Sequence, residues 1–227
     1  MIGRIVRVIA WVAGAYLALV LLLTLAYAFV PPVSTFMLAR WFTGKPVTRE
    51  WRPLEQISPN LVHAVVVSED GRLCTHRGVD WHEVRDAIAD ADELSDARGA
   101  STIAMQTARN LFLWPGRNFV RKAMEVPIAY LLTFTWSHRR IVEVYLNIAE
   151  WGPDGEFGAE AAAQRAFKKS ARNLSPREAA LLAASLPNPM RRNAAKPGPG
   201  LQRVAARTMN GVAVDGGAAV VCLKQGR

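Results

Sequence analysis

The longest apolar stretch of the chain lies close to its amino terminus. Residues 8–30 carry no charged side chain. As a helix they would extend about 34 Å at ~1.5 Å per residue, enough to cross a hydrocarbon core of about 30 Å. This length argues against a buried core helix, and the absence of a clear small-residue cleavage site argues against a signal peptide. We therefore predict an uncleaved membrane anchor over residues 8–30, and the basic residues on both sides leave its orientation open.

The segment after the anchor mixes large apolar residues with one basic residue. Residues 34–44 contain Phe36, Trp41 and Phe42 beside Arg40. This composition is typical of a short amphipathic helix lying on a membrane surface, and a core helix fits it equally well. Proline and arginine punctuate the residues that follow, so we interpret residues 31–59 as a membrane-proximal connector.

The rest of the chain has helical spacing with little sign of sheet. The apolar run 61–67 after Ser58 fits a buried strand or a buried helix. Ser175, Pro176 and Glu178 form a capping-box pattern. Further helices are predicted over 118–136, with Asn118 as its cap, and over 141–150, 157–167 and 175–186. We predict a mainly α domain over 60–210, followed by a tail over 211–227.

Composition and charge exclude several classes of protein. Hydrophobic residues make up 51% of the chain and charged residues 21%, which excludes disorder as the main state. Two cysteines cannot form a disulfide framework or a four-thiolate zinc site. Cys74 and Cys222 would pair only if their Cα atoms came within about 7 Å, which the sequence does not reveal. The sequence contains no Walker loop and no dinucleotide-binding fingerprint, and its histidines do not have the spacing of metal ligands. No metal or cofactor is therefore predicted.

An acid-rich stretch occupies residues 80–96. It contains seven acidic residues, from Asp80 to Asp96, and a single arginine, Arg85. The simplest interpretation is a solvated helix face followed by a loop.

Glu69 is the first candidate for chemistry. It closely follows the apolar run, at a boundary where desolvation would raise the pKa of its carboxyl. A raised carboxyl pKa suits proton transfer near neutral pH. The alternative is an exposed acid at a helix end beside Asp70.

Glu125 and a basic cluster are the second and third candidates. Glu125 is the only charge between Ala123 and Trp136, and Arg121 and Lys122 can share its helix face. The alternative is a structural ion pair. Between residues 101 and 145 there are six basic residues and two acids; the basic residues are Arg109, Arg117, Arg121, Lys122, Arg139 and Arg140. Such a cluster suits phosphate oxygens, although a solvated basic face is the common alternative.

These candidates fit one chemistry at a membrane: a carboxylate base facing a cationic site for a diphosphate leaving group. The residues also resemble the peptidoglycan glycosyltransferases in five ordered blocks. The first four blocks are Glu69–Asp80 (EDxxFxxHxGxD), Gly99–Phe112 (GxSTIxQQxxKN), Arg121–Glu125 (RKxxE) and Arg140–Asn147 (ILExYLN). The fifth comprises Gly158–Ala163 and Glu178–Pro189. The resemblance runs from about residue 31 to residue 209, and the short length is typical of the monofunctional biosynthetic members.

The resemblance implies a lysozyme-like helical domain on a single transmembrane helix of the bacterial inner membrane. Residues 1–7 would lie in the cytoplasm and the catalytic domain in the periplasm. The implied reaction polymerises lipid II into glycan strands with inversion at the donor sugar. Its partners would be lipid II, the lipid-linked nascent strand and the membrane; proteins of cell-wall synthesis are candidate partners, and nucleic acid is not.

The resemblance also implies roles for individual residues. Glu69 would deprotonate the 4-hydroxyl of the acceptor, and Glu125 matches the second essential acid. The residues predicted to bind substrate are Asp70, Ser101, Thr102, Gln106, Arg109, Asn110, Arg117, Arg121 and Lys122. The chain departs from the family pattern at Leu73, Ala100, Met105, Arg109 and Ala166.

Two rival hypotheses follow from the same residues. A glycan-cleaving enzyme also needs an acid at the end of an apolar helix, but it has no use for a diphosphate-sized basic cluster. A non-catalytic protein that binds lipid-linked precursor would tolerate the departures at Leu73, Ala100 and Met105.

Overall fold

The protein is mainly helical in the computed structural model, which describes residues 2–89, 101–116 and 118–224. The helices of this part are α1 Ile2–Tyr27, α2 Thr35–Phe42, α3 Pro59–Glu69, α4 Trp81–Ala89, α5 Ile103–Phe112, α6 Phe119–Thr135, α7 His138–Ile148, α8 Gly158–Phe167, α9 Pro176–Ser185, α10 Pro199–Asp215 and α11 Val221–Lys224. Two short strands, β1 Thr48–Arg49 and β2 Glu156–Phe157, pair in parallel. The prediction of a mainly α fold is confirmed.

Helix α1 is apolar and long enough to cross a membrane over residues 3–27, and most of its side chains are exposed. It starts before the predicted span and ends three residues earlier, so Arg4 and Arg7 lie within the helix. Only Val20 and Thr24 of its described side chains are buried. An exposed apolar helix of this length is what a membrane anchor requires.

The carboxyl end of α1 is fastened to the helical domain. The indole Nε1 of Trp136 donates to the carbonyl of Thr24 at 2.9 Å. The Arg140 guanidinium donates to the carbonyls of Tyr27, at 2.9 and 3.1 Å, and of Val30, at 2.6 Å. The bonds to Tyr27 satisfy a carbonyl that the end of the helix leaves free.

For residues 34–44 the sequence fitted a surface helix and a core helix equally well, and helix α2 has features of both. Ser34 caps it by accepting the backbone N–H of Met37 at 3.1 Å. Met37 is fully buried in the core, whereas Phe42 is 89% exposed and Trp41 is also exposed. The helix therefore packs on the domain through one face and presents an apolar face outward.

Helix α3 lies in the core, and this settles the choice between a strand and a helix for residues 61–67. Leu61, Val65 and Val66 have no exposed surface. The helix packs against α9 and α10, while α5 packs against α6 and α7. Ser58 precedes α3, but its hydroxyl donates to the carbonyl of Leu174 at 3.0 Å and does not cap the helix.

Two predicted helix starts are confirmed in detail. The Asn118 side chain accepts the backbone N–H of Arg121 at 2.7 Å, at the start of α6. Ser175 and Glu178 form the reciprocal capping box at the start of α9, where Pro176 occupies the first turn. Such caps stabilise a helix by about 1 kcal/mol each because they satisfy free N–H groups.

The interpretation of residues 80–96 as a solvated face is wrong for its first residue. Asp80 is only 5% exposed and accepts the backbone N–H groups of His82 and Glu83 at 3.0 and 3.2 Å. It thereby supports the start of α4, where Glu83 and Asp86 are exposed as predicted. Residues 90–96 lie outside the described part of the chain.

The contacts that attach the carboxyl-terminal tail to the domain include a carboxylate–histidine pair and a disulfide. Helix α10 continues to Asp215, whose carboxylate contacts His63 Nε2 at 2.7 Å. Beyond it, Cys222 forms a disulfide with Cys74. The pairing that the sequence left open joins the tail to the loop that follows α3.

Gly78 tests how closely the loop after α3 packs against α6. Its φ is +94°, and a Cβ there would lie 2.9 Å from the carbonyl oxygen of Ala129 on α6. We expect Gly78→Ala to lower the stability by about 1–3 kcal/mol or more. Thermal unfolding should show a fall of about 2–4 °C for each kcal/mol lost.

Gly200→Ala is the matched control, because Gly200 lies in the first turn of α10 with no atom near its Cβ position. It should leave the melting temperature unchanged or raise it. Equal effects of the two substitutions would contradict the packing described for Gly78.

Candidate active site

Glu69 is the last residue of α3, so the apolar helix that fills the core also carries this carboxylate. The side chain lines a cavity of about 150 Å³, together with Asp70, Arg72, Ser101 and others. The backbone leaves the helix at Asp70. The site thus lies where a buried helix reaches the surface, as predicted for a desolvated acid.

The surroundings of Glu69 raise the pKa of its carboxyl. Burial is the largest cause, and the charge of Asp70 adds to it. The hydrogen bond from Gln106 Nε2 to Glu69 Oε2, at 3.0 Å, and the charges of Arg109 and Arg192 act in the opposite direction without cancelling it. A carboxylate with a raised pKa is a stronger base than an exposed one and is suited to proton transfer near neutral pH.

Asp70 and Thr102 join the loop after α3 to the start of α5. Asp70 contacts His76 Nε2 at 2.7 Å and accepts the backbone N–H of Ile103 at 2.9 Å. Thr102 caps α5 and donates to the carbonyl of Gly78 at 2.6 Å. Both side chains support the wall beside Glu69, and their predicted contact with substrate stays a prediction.

Glu125 is the second acid of the site, on α6, and it is 1% exposed. Arg121, one turn before it, forms an ion pair with one carboxylate oxygen, and Lys122 Nζ lies 3.1 Å from the other. A buried carboxylate needs such partners because removal from water otherwise costs several kcal/mol. Arg121 is buried by this pairing, whereas the Lys122 side chain remains 41% exposed.

A chain of hydrogen bonds connects the two acids. Gln106 Nε2 donates to Glu69 and also to the backbone carbonyl of Ser101, at 3.3 Å. The hydroxyl of Ser101 accepts a hydrogen bond from Lys122, which pairs with Glu125. Five of the predicted binding and catalytic residues, Gln106, Ser101, Lys122, Glu125 and Arg121, thus form one continuous network with Glu69.

The remaining predicted residues lie around this network. Arg109 is partly exposed, and its charge lowers the pKa of Glu69. Asn110 is buried beside it and accepts from Arg109 Nε at 3.4 Å. Arg117 falls outside the described residues.

Two residues that sequence reasoning did not assign belong to the site. Tyr145, from the fourth motif, donates to Gln106 Oε1 at 2.9 Å. Arg192, after α9, donates to the carbonyl of Ala184 at 2.7 Å and lowers the pKa of Glu69 through its charge. The motif pointed to Tyr145, whereas no local pattern singled out Arg192. Across the described residues, no three His, Cys, Asp or Glu side chains meet as metal ligands.

The fold and the site together define the class of protein. A helical domain places one partly buried carboxylate at the end of an apolar helix and a cationic network beside it, and one apolar helix precedes the domain. This is the arrangement expected of a lysozyme-like, carbohydrate-active domain on a membrane anchor.

Comparison with known proteins gives the family. A family model described as Transglycosylase matches residues 36–213. The chain is 55% identical to a biosynthetic peptidoglycan transglycosylase of Rhodopseudomonas palustris (strain TIE-1), over 89% of this chain and 86% of that protein. It is 55% identical to a protein of that name from Agrobacterium fabrum, over 84% and 85%, and 49% identical to one from Brucella melitensis biotype 1, over 92% and 93%.

The chain belongs to the transglycosylase family. It is a glycosyltransferase with a lysozyme-like helical domain and one apolar amino-terminal helix, as the motifs predicted. The family assignment argues against the hypothesis of a non-catalytic binding protein. Glu69 remains the candidate for the catalytic carboxylate.

Glu69 should make the stability depend on pH in a predictable direction. A carboxyl whose pKa is higher in the folded than in the unfolded protein binds more protons when folded, so it destabilises the fold as pH rises. At neutral pH, where the acid is ionised, Glu69→Gln should therefore raise the melting temperature. The gain should shrink as pH falls toward the ordinary glutamate value of about 4.3.

Glu50→Gln is the matched control, since Glu50 is exposed and does not line the cavity of Glu69. Melting curves between about pH 4 and 8 would contradict the desolvation of Glu69 if both variants showed the same pH dependence.

Proposed function

We propose that this protein polymerises lipid II, with Glu69 as the base that deprotonates the acceptor 4-hydroxyl and undecaprenyl pyrophosphate as the leaving group. The observation that carries the proposal is the carboxylate of Glu69, which lines a cavity and has a raised pKa. Hydrogen bonds through Gln106 and Ser101 connect it to the partly exposed ammonium group of Lys122. The names of the relatives, biosynthetic peptidoglycan transglycosylases, support the substrate class.

The geometry fits a single displacement. Glu69 Oε2 is held by Gln106, and within the described residues Oε1 accepts no hydrogen bond, which leaves it free for the acceptor hydroxyl. As the proton moves to Glu69, the acceptor oxygen attacks the anomeric carbon of the donor and the bond from that carbon to the diphosphate breaks. Attack from the face opposite the leaving group converts the α-linked donor into a β-linked product.

The cationic side of the site serves the leaving group. Lys122 is partly exposed, and Ser101 and Glu125 hold its position. Arg109 contributes a second partly exposed charge, and Arg117 is predicted to contribute a third. Fixed cations that face developing negative charge lower the barrier more than they strengthen ground-state binding.

The anchor and the disulfide support the cellular location. Helix α1 would hold the domain beside the bilayer that contains the lipid-linked substrate, with residues 1–7 in the cytoplasm, 8–30 in the inner membrane, 31–59 as connector, 60–210 as the periplasmic domain and 211–227 as its tail. The Cys74–Cys222 disulfide is consistent with the periplasm, because disulfides persist in oxidising compartments.

Glu69→Gln tests the assigned base. Gln keeps the shape and a hydrogen-bonding carbonyl but cannot accept the proton, so the rate of polymer formation from lipid II should fall by about 10²- to 10⁴-fold. Gel analysis of glycan strands made by the full chain in detergent measures the effect, and the unfolding curve reports that the fold is kept. Retained activity would contradict the role of Glu69. Release of muropeptides from sacculi without polymer formation would select the glycan-cleaving alternative.

Lys122→Met tests the leaving-group site separately. It keeps the length of the side chain and removes its charge, so kcat should fall by about 10²-fold as for the loss of one transition-state contact. Lys196→Met is the matched control, since Lys196 is exposed and lies apart from the network. Equal activity of the two variants in the lipid II assay would contradict a role for Lys122 in leaving-group departure.

A further inference from the structure

Tyr145 is buried behind the proposed catalytic acid, on α7, and is only 2% exposed. Its hydroxyl donates to Gln106 Oε1 at 2.9 Å. Gln106 lies on α5 and in turn donates to Glu69 from its Nε2. Gln106 therefore lies between Tyr145 and the proposed base. Among the described residues, Tyr145 forms no hydrogen bond with the side chains of Asp70 or Ser101, which line the cavity.

The orientation of the Gln106 amide decides whether a hydrogen-bond donor or an acceptor faces the Glu69 carboxylate. In the observed orientation the NH₂ group faces two acceptors, Glu69 Oε2 at 3.0 Å and the Ser101 carbonyl at 3.3 Å, while the amide oxygen faces the Tyr145 hydroxyl. In the reversed orientation the amide oxygen would face two oxygen acceptors. A carboxylate next to an amide oxygen loses a donor and gains a repulsive dipole.

We infer that Tyr145 is a positioning residue of the glycosyltransferase reaction, which fixes the Gln106 amide so that its NH₂ group holds Glu69 in place as the base. The inference rests on the proposed function of Glu69 and deepens it. No contact between Tyr145 and substrate is required, because its effect passes through Gln106.

Tyr145 is suited to act as a permanent donor. Burial raises its pKa well above the ordinary value of a phenol, and the charge of Glu69 adds to this effect. The hydroxyl therefore keeps its proton throughout the working pH range. The charged groups that act on Glu69 are Asp70 from the end of α3, Arg109 from α5 and Arg192 from the segment after α9.

Tyr145→Phe removes the donor and leaves the ring in place. Since the hydrogen bond from Gln106 lowers the pKa of Glu69, a loosened amide should raise that pKa. We expect the acid limb of the kcat/KM profile for lipid II polymerisation to move to higher pH. We also expect kcat to fall by about 3- to 10-fold, the effect of one net hydrogen bond, with KM unchanged. Tyr130→Phe is the matched control, because Tyr130 lies on the outer face of α6 and bonds Trp81.

A double-mutant comparison separates positioning from packing. Gln106→Met removes the amide, so adding Tyr145→Phe should then have no further effect on the rate or on the acid limb. The double variant also removes the unpaired amide oxygen that Tyr145→Phe alone would leave, so it tests the inference even if the single variant folds poorly. Melting curves of each full-length variant accompany the rates.

The outcomes distinguish the inference from the proposed function. An unmoved acid limb in Tyr145→Phe, or an equal loss of rate with and without Gln106, would overturn the inference while Glu69→Gln remains inactive. An active Glu69→Gln protein would overturn the proposed function and the inference with it.

Discussion

The chemistry of this protein depends on a carboxylate that hydrophobic folding has drawn partly out of water. Leu61, Val65 and Val66 of α3 are apolar and fully buried, so packing of this helix against α9 and α10 fixes where its last side chain lies. Burial opposes ionisation of that side chain, and one amide hydrogen bond together with two more distant cations offsets only part of this effect. The remaining imbalance destabilises the fold slightly and makes the carboxylate a useful base.

Two other buried acids of the domain, Glu125 and Glu160, are surrounded differently. Glu125 has an ion pair on each of its two oxygens. Glu160 is also buried; burial alone would raise its pKa, but hydrogen bonds from Gln164 and the Ala171 backbone, together with Arg52, bring it below the ordinary value. Glu125 is thus held between two cationic side chains, and the surroundings of Glu160 favour its ionised form. Glu69 instead keeps one oxygen without a hydrogen bond to the described residues, and this contrast in environment distinguishes the proposed base from Glu125 and Glu160.

Much of the fold followed from local signals. The cap at Asn118 and the capping box at Ser175 set the starts of α6 and α9 because a helix start requires acceptors for its free N–H groups. Periodicity could not distinguish strand from helix for residues 61–67, since a segment buried on all sides has no polar face. Asp80 was misread because an acid in an acidic run is ordinarily solvated, whereas here its carboxylate is used at the start of α4.

The positions of Glu69 at a cavity and of Glu125 beside two cations agree with the sequence prediction, whereas their roles in the reaction stay predictions. The Cys74–Cys222 disulfide, the bond from Tyr145 to Gln106 and the approach of Arg192 join residues from distant parts of the chain. Sequence spacing alone carries no measure of such distances. The burial of Arg121 also needed the structure, because a basic residue in a first turn reads equally well as a free phosphate ligand and as the partner of an acid.

The most direct test of the account is to follow the protonation of Glu69 itself and compare it with turnover. Infrared difference spectra of the wild-type protein minus Glu69→Gln, recorded across the pH range, report the carboxyl band of this one residue. We predict that the band titrates above the ordinary glutamate value and that its midpoint coincides with the acid limb of kcat/KM for lipid II polymerisation. A midpoint at the ordinary value, or an acid limb unrelated to it, would contradict the assignment of Glu69 as the desolvated base.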